Sequence, residues 1–234
     1  YDGKIYRTYG ATKNANPDLK WETTSMLNIG LDFAFLGGRL NGTVEVYQKK
    51  TKDLIWSYPV PTTQYVFGSI DANVGEMTNK GIEVTLNAVP VRTKNFSWST
   101  TVNLSHNKNR IDKMQNDVFH TTNLTQGDPM VAGVSAYGWT QKIMEGEPLG
   151  TFYTYQYAGT VNGHSEYYVL DENGNRTGET TNSPSLKDRS ITGCAQPKLN
   201  AGWNNTLSYK NWSLNAFIPG VFGNDVYNSA RAHY

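Results

Sequence analysis

The sequence predicts an all-β fold of antiparallel strands. Apolar and polar residues alternate with a period of two over three pairs of segments, as they do in strands whose side chains point to opposite faces. The connection within each pair is short, whereas the connections between pairs are long. The composition agrees with this prediction, because aromatic residues make up 12% of the 234 residues and charged residues only 18%.

The first pair is a β-hairpin that turns at Gly37-Gly38, a dipeptide that tolerates the positive φ of a tight turn. The apolar residues of its two strands are Leu27, Ile29, Leu31, Phe33 and Phe35, then Leu40, Gly42, Val44 and Val46. Polar residues such as Asn28, Asp32 and Thr43 occupy the alternate positions. This spacing predicts two strands with one apolar and one polar face.

Two further hairpins follow the same rule, with turns between Pro90 and Lys94 and at Tyr209-Lys210-Asn211. Their apolar residues are Ile82, Val84, Leu86 and Ala88 with Phe96, Trp98, Val102 and Leu104, and Leu199, Ala201, Trp203, Leu207 and Tyr209 with Trp212, Leu214, Ala216 and Ile218. Another strand is predicted around Leu149 to Tyr157, and weaker extended segments at Ile5–Tyr9, Lys52–Tyr58 and Gly138–Met144. The chain is therefore expected to hold about seven or eight strands.

Charge and cysteine content exclude several classes of protein. The 21 basic and 20 acidic residues give a net charge of +1, which argues against a nucleic-acid-binding domain. The single cysteine, Cys194, excludes an intrachain disulfide framework and a cysteine-rich zinc site. There is no run of about 18 apolar residues, so a transmembrane helix is not predicted. The chain starts at Tyr1 without an initiator methionine, and we expect it to be a segment of a longer protein.

The connections favour a transmembrane β-barrel. The links at Gly37, Pro90 and Lys210 are tight, whereas Lys49 to Asn79, His106 to Pro148 and Gly159 to Pro197 are long. In an antiparallel sheet this order places every short turn at one end and every long loop at the other, as in outer-membrane barrels. Strands of about 10 residues, tilted near 45°, cross an apolar band about 25 Å tall. The alternative is a soluble sheet with one solvated face, such as a secreted or surface β-sandwich carbohydrate-binding module.

No set of residues predicts catalysis, a cofactor or a metal site. The four histidines (His106, His120, His164 and His233) are far apart, and no nucleophile motif occurs, so an enzyme is not predicted. The segment from Asp171 to Asn175 spaces oxygen ligands like the start of a calcium loop, but Arg176 stands where that loop needs glycine. An ordinary polar turn is the favoured interpretation of this segment.

Several sequence blocks, in order along the chain, resemble a known family. They include Asn16-Pro17-Asp18-Leu19-Lys20-Trp21-Glu22, Asn73-Val74-Gly75-Glu76-Met77-Thr78-Asn79-Lys80-Gly81, and Gly223-Asn224-Asp225-Val226-Tyr227-Asn228. In these blocks the chain is similar to the barrel portion of SusC/RagA-type TonB-dependent outer-membrane transporters of Bacteroidota, in the C-terminal part of that barrel.

The resemblance implies an antiparallel transmembrane barrel of about 22 strands, with short periplasmic turns and long extracellular loops. It implies a multi-pass protein of the outer membrane of a Gram-negative bacterium, in contact with outer-membrane lipid. Residues 1–234 would be part of one barrel domain, with the plug domain and remaining strands outside this chain. The implied cargo is oligosaccharide or peptide, and the implied partners are a SusD-like surface lipoprotein and the TonB–ExbB–ExbD system. An eight-stranded stand-alone barrel is the smaller alternative.

Substrate contacts are expected from aromatic residues in the long loops, because recognition residues tend to lie on loops held by a rigid scaffold. The candidates are Tyr137, Trp139, Tyr167 and Tyr168, whose ring faces suit sugar rings or peptide side chains. For each of them the alternative is packing within the loops or contact with the lipoprotein.

Overall fold

The computed structural model describes residues 10–116, 118–126 and 139–228, which form thirteen β-strands and two short 3-10 turns at Leu36–Gly38 and Leu186–Asp188. None of the helical segments in these ranges has the length or apolar character needed to cross a bilayer. The segment predicted at Ile5–Tyr9 lies outside the described residues. The strands are β1 (Thr23–Phe35), β2 (Leu40–Pro59), β3 (Ser69–Arg92), β4 (Phe96–Lys113), β5 (Asn123–Gln126), β6 (Gln141–Met144), β7 (Thr151–Tyr155), β8 (Tyr157–Val161), β9 (His164–Leu170), β10 (Arg176–Thr181), β11 (Arg189–Cys194), β12 (Leu199–Tyr209) and β13 (Trp212–Phe222).

Six long strands form one antiparallel sheet, the large sheet, in the order β1-β2-β3-β4-β12-β13. Residues 114–198, between β4 and β12, are here called the excursion, and the described part of it builds two smaller sheets, β11-β7-β6-β5 and β10-β9-β8. The three predicted hairpins are confirmed. The strand predicted near Leu149 forms as β7 but pairs with β11 and β6 in a smaller sheet, so the large sheet has six strands among the described residues. A period of two identifies a strand but not its partner.

The register of the large sheet brings the apolar residues of all six strands onto one surface, the apolar face. One row across the sheet consists of Phe33, Gly42, Leu86, Val102, Trp203 and Ile218. Trp203 and Ile218 remain 46% and 53% exposed. In the part of the chain described, no second sheet covers this face, as a β-sandwich would require.

The two ends of the apolar face match the borders of a bilayer. Near the short turns, Phe96, Tyr209 and Trp212 lie in one row, which gives that end an aromatic border. At the other end, the apolar face is bordered by a polar row that consists of Gln48, Lys80 and Lys108. Along β4, Lys108 comes 12 residues after Phe96, and at about 3.4 Å per residue and 45° tilt the two borders are roughly 29 Å apart, which encloses an apolar band about 25 Å tall. This is the height of the lipid-facing band of a membrane barrel.

Gly81, in one of the blocks that carry the family resemblance, makes room for an aromatic ring from the neighbouring strand. A Cβ atom at Gly81 would lie 2.5 Å from the Tyr47 hydroxyl and 2.7 Å from the His106 carbonyl oxygen. The Tyr47 ring lies across this position, and its hydroxyl donates to Asn107 Oδ1 at 3.1 Å. The glycine therefore allows β2, β3 and β4 to share one side-chain contact across the sheet.

Strands β2 and β3 extend well beyond the border at Lys80. The link from Lys49 to Asn79, predicted as a long loop, is mostly strand, and only residues 60–68 connect β2 to β3. The register shifts between Thr51 and Leu54 and again between Leu54 and Ile55, while Asp53 has a φ of 57°. Such bulges change which face the following residues occupy, and so they hide the period of two on which the sequence prediction relied.

The buried apolar residues of the described chain lie beyond the Lys80 border, in these strand extensions and the excursion. Tyr58, Ala72 and Val74 form one cluster, and Tyr58 packs against the Phe119 ring with centroids 5.0 Å apart. Burial and the nearby Glu145 carboxylate raise the pKa of Tyr58 to about 12, so its hydroxyl stays neutral. Ile111, Met114 and Ile143 form a second cluster, and Trp56 packs against both. Among the described residues the apolar face of the large sheet thus stays uncovered, whereas the extension of this sheet has a water-excluded core of its own.

Candidate functional site

The surface of the large sheet opposite the apolar face is polar. Side chains form hydrogen bonds from strand to strand: Thr101 Oγ1 donates to Asn87 Oδ1 at 2.8 Å, and Asn87 Nδ2 donates to Asn41 Oδ1 at 3.1 Å. A shallow hollow of about 290 Å³ on this face includes Glu83, Thr85, Asn103, Ser105, Asn200 and Gly202. This hydroxyl- and amide-rich surface is suited to a water-filled lumen rather than to a packed interior.

The excursion is fixed to the strand extensions by hydrogen bonds at its base. The Leu149 amide donates to the buried Asn109 Oδ1 of β4 at 2.8 Å, and within the excursion the amide of Met114, directly after β4, donates to Glu145 Oε1 at 2.6 Å. At the return end, the Cys194 amide donates to Asp225 Oδ2 and the Asp225 amide donates to the Cys194 carbonyl, each at 2.8 Å. The block around Asp225 therefore holds β11 to the segment that follows β13.

The four predicted substrate-contact residues lie in different surroundings. Tyr137 lies outside the described residues. Trp139 is 49% exposed, and its carbonyl accepts a hydrogen bond from the buried Arg189 guanidinium. Tyr167 and Tyr168 are neighbours in β9, so they point to opposite faces of the small sheet. The three described residues, Trp139, Tyr167 and Tyr168, therefore contact different groups and do not line one pocket.

Tyr167 belongs to a cluster of three tyrosines. Its ring centroid lies 5.9 Å from that of Tyr155 and 6.2 Å from that of Tyr157, both in edge-to-face geometry. The guanidinium of Arg189 lies over Tyr155 at 5.2 Å from the ring centroid. Tyr155 and Tyr157 were predicted only as strand residues, although tyrosines at alternate positions were a signal of a shared aromatic face.

Tyr168 contacts a group that the sequence did not single out. The guanidinium carbon of Arg176 lies 3.9 Å from the Tyr168 ring centroid, and Arg176 Nε donates to Gln156 Oε1 at 2.8 Å. Gln156 Nε2 in turn donates to Ser190 Oγ at 2.7 Å. A hollow of about 350 Å³ lies here, lined by Tyr155, Gln156, Tyr157, Arg176, Ile191 and Thr192. These residues come from β7, β8, β10, β11 and the junction between β7 and β8, and no sequence spacing links them.

The segment from Asp171 to Asn175 forms a tight polar turn. Asp171 Oδ1 accepts the amides of Asn173 at 2.9 Å and Asn175 at 2.8 Å. These hydrogen bonds hold the pKa of Asp171 below its usual value, and the bond from the Asn175 amide has the largest effect. Within the described ranges no three His, Cys, Asp or Glu side chains lie close enough to share a metal ion.

Asp188 provides a pH-dependent support for the excursion. Its Oδ2 accepts from the Ser185 amide at 2.8 Å and the Ser185 hydroxyl at 2.7 Å, and its Oδ1 accepts from the Leu170 amide at 3.2 Å. These bonds, those from Ser185 foremost, lower the pKa of Asp188. Because the folded-state pKa is the lower one, the stabilisation is complete above the unfolded pKa near 3.9 and is lost as the pH falls through the folded value.

We expect Asp188→Asn to destabilise the excursion by about 1–3 kcal/mol at pH 7, since its amide nitrogen would face an N–H donor. Hydrogen exchange of β9 and β11 in the wild type and the variant, at pH 7 and below pH ~4, measures the effect. The difference in exchange rate between the wild type and the variant should become smaller at acidic pH. A difference that stays constant with pH would contradict the role of the Asp188 carboxylate.

Comparison with known proteins agrees with this architecture. Residues 1–218 match the family model described as TonB dependent receptor-like, beta-barrel. The chain is 34% identical over 238 residues to TonB-dependent receptor P3 of Formosa agariphila, covering 93% of this chain and 22% of that protein. It is 31% identical over 246 residues to TonB-dependent receptor SusC of Bacteroides thetaiotaomicron, covering 98% of this chain and 24% of that protein.

Solved structures of the RagAB peptide transporter are similar in fold. One matches with a TM-score of 0.73 and 27% identity, covering 89% of this chain and 22% of that chain. The structure of the importer in its open-open state matches with a TM-score of 0.75 and 25% identity, covering 93% of this chain and 23% of that chain. The chain thus spans less than a quarter of the length of these relatives.

The barrels of this family are outer-membrane receptors and transporters, not enzymes. The resemblance noted in the sequence is therefore confirmed, and the chain belongs to the TonB-dependent receptor β-barrel family.

Proposed function

We propose that the full-length protein is a SusC-like importer in the outer membrane, and that residues 1–234 form part of its single barrel domain, with the plug domain elsewhere in the protein. The observation that carries this proposal is the large sheet, which has an apolar face of bilayer height and an opposite face rich in hydroxyl and amide groups. The excursion then lies outside the cell, because it leaves from the end opposite the short turns.

The proposed cargo is oligosaccharide or peptide, and the proposed partners are a SusD-like surface lipoprotein and the TonB–ExbB–ExbD system, which supplies energy. The similarity to SusC and to RagAB, a peptide transporter by name, supports this assignment. The residues proposed to contact cargo from the excursion are Trp139, Tyr167, Tyr168 and Tyr137, which precedes Trp139 by 2 residues in the sequence. Support for this role comes from the half-exposed Trp139 and from the position of Tyr168 beside an open hollow.

The alternative of a soluble carbohydrate-binding β-sandwich has little support. A sandwich buries the apolar face of each sheet against the other, whereas residues such as Leu31 and Leu214 are more than 60% exposed in this sheet, at 66% and 62%. In water such a surface would promote aggregation.

Uptake by the native organism tests the proposal. A strain that lacks the gene for the full-length protein is compared with a complemented strain, and with a strain that lacks TonB, on oligosaccharide mixtures and on peptide mixtures as sole carbon source. We expect a growth defect on one mixture in both mutant strains, and recovery of the protein in the outer-membrane fraction together with a lipoprotein. A protein found in the soluble fraction, or growth unchanged in every mixture, would contradict the proposal.

A further inference from the structure

The hollow beside Arg176 has the features of a preformed binding site. It lies where the chain passes from one small sheet of the excursion to the other, at Gln156 between β7 and β8. The Gln156 carbonyl accepts the Tyr168 amide at 3.0 Å, so the backbone here is part of the β9 pairing. Its side chain meanwhile contacts Arg176 of β10 and Ser190 of β11. Gln156 thus connects the strands that surround the hollow.

The guanidinium of Arg176 is held in place on two sides. One face lies on the Tyr168 ring, and the Nε edge is bonded to Gln156. Among the described residues no carboxylate forms an ion pair with Arg176, although four ion pairs involve other cations. A guanidinium fork matches a carboxylate with two parallel hydrogen bonds. An arginine that is held beside a hollow, with no carboxylate partner among the described residues, therefore favours an anionic ligand.

We propose that this hollow is a carboxylate-binding subsite for cargo, with Arg176 as the anion-binding group and the tyrosines as the apolar wall. This inference rests on the proposed import function and narrows it, since it predicts that the cargo carries a carboxylate. Two sources share this chemistry: the uronate groups of an acidic glycan and the C-terminus of a peptide. Tyr155 and Tyr157 line the hollow and suit either a sugar ring or a peptide side chain next to the anion.

Binding measurements on the full-length transporter in detergent test the subsite with two matched pairs of probes. The first pair is an oligogalacturonate and a neutral oligogalactose of the same length, and the second is a peptide with a free C-terminus and its amidated form. We expect the wild type to prefer the carboxylated member of one pair by about tenfold or more. The pair that shows the preference identifies the source of the carboxylate.

Variants show whether the preference comes from Arg176. Arg176→Gln should abolish the preference, whereas Arg176→Lys should retain part of it, because charge remains but the planar fork is lost. Arg110→Gln is the matched control, since Arg110 is an exposed arginine of β4 away from the hollow, and it should leave the preference unchanged. Circular dichroism and heat-dependent gel mobility verify that each variant is folded.

Three results would overturn the inference: equal binding of both members in each pair, a preference that survives in Arg176→Gln, or no binding of any probe. None of them bears on TonB-dependent uptake or on outer-membrane location, which the growth experiment measures separately. A transporter that imports only neutral cargo would keep its proposed function and lose this subsite.

Discussion

Replacing Ile111 by Ala is expected to lower the free energy of unfolding of the core beneath the excursion by about 2–5 kcal/mol. Ile111 is 1% exposed and packs with Met114 and Ile143, so the truncation leaves a cavity in the centre of this cluster. The Ile111 amide also bonds to the Glu147 carbonyl at 2.9 Å, which ties the excursion to the end of β4 at the same residue. Hydrogen exchange of β6 and β7 in the full-length protein measures the loss.

Ile191→Ala is the matched control for this experiment. Ile191 has the same side chain as Ile111 and lies in the excursion, but it is 46% exposed, so its truncation should cost only about 0.5–1 kcal/mol. The large sheet should keep its slow exchange in both variants, since lipid rather than the Ile111 cluster stabilises its apolar face. Equal effects of the two substitutions would show that the Ile111 cluster is not a core.

Val102→Arg is expected to cost about 2–4 kcal/mol of barrel stability, because it places a charge near the middle of the apolar face. Val102 shares its row with Leu86 and Trp203, between the aromatic border and the Lys80 border. Urea unfolding of the full-length barrel in lipid vesicles measures the change in the free energy of unfolding. The fraction of protein assembled in the outer membrane should fall in parallel.

The neighbouring substitution, Asn103→Arg, tests whether the two faces are assigned correctly. Asn103 lies on the polar face and accepts one hydrogen bond from Thr85 Oγ1 at 3.0 Å, so an arginine there should cost only about 0.5–1 kcal/mol. If Asn103→Arg proves as costly as Val102→Arg, the polar face is not open to water. If neither is costly, the sheet does not face lipid.

The hairpins of the large sheet were predictable because their information is local. Alternation between Leu27 and Phe35 specifies the face of each side chain, and Gly37-Gly38 specifies where the chain reverses. A turn of fixed length also sets the register, and therefore the rows that make up the apolar face. The same reasoning is weaker at the Thr51–Leu54 bulge, where an extra residue interrupts the alternation, so the sequence predicted Lys52–Tyr58 only as a weak extended segment and not as the continuation of β2.

For the candidate site, the type of residue and its place in the excursion were predictable from the sequence, but the contacts of these residues were not. Aromatic residues in the long connections pointed to the excursion, and Tyr167 and Tyr168 do lie there. The partners of those tyrosines were not predictable, because the contact of Tyr155 with Tyr167 and the contact of Arg176 with Tyr168 depend on how β9 packs and pairs with its neighbours. Their residue types carry no signal of this contact.

The sequence by itself determined the six long strands, their apolar and polar faces, and membership in the family, since each depends on spacing between neighbours or on blocks in linear order. Tertiary structure alone decided that β7 pairs with β11 outside the large sheet, that a core forms around Ile111, and that Arg176 is held between Tyr168 and Gln156. The physical reason is that strand faces follow from the backbone's period of two, whereas pairings between distant segments follow from which combination buries the most apolar surface and satisfies the most hydrogen bonds.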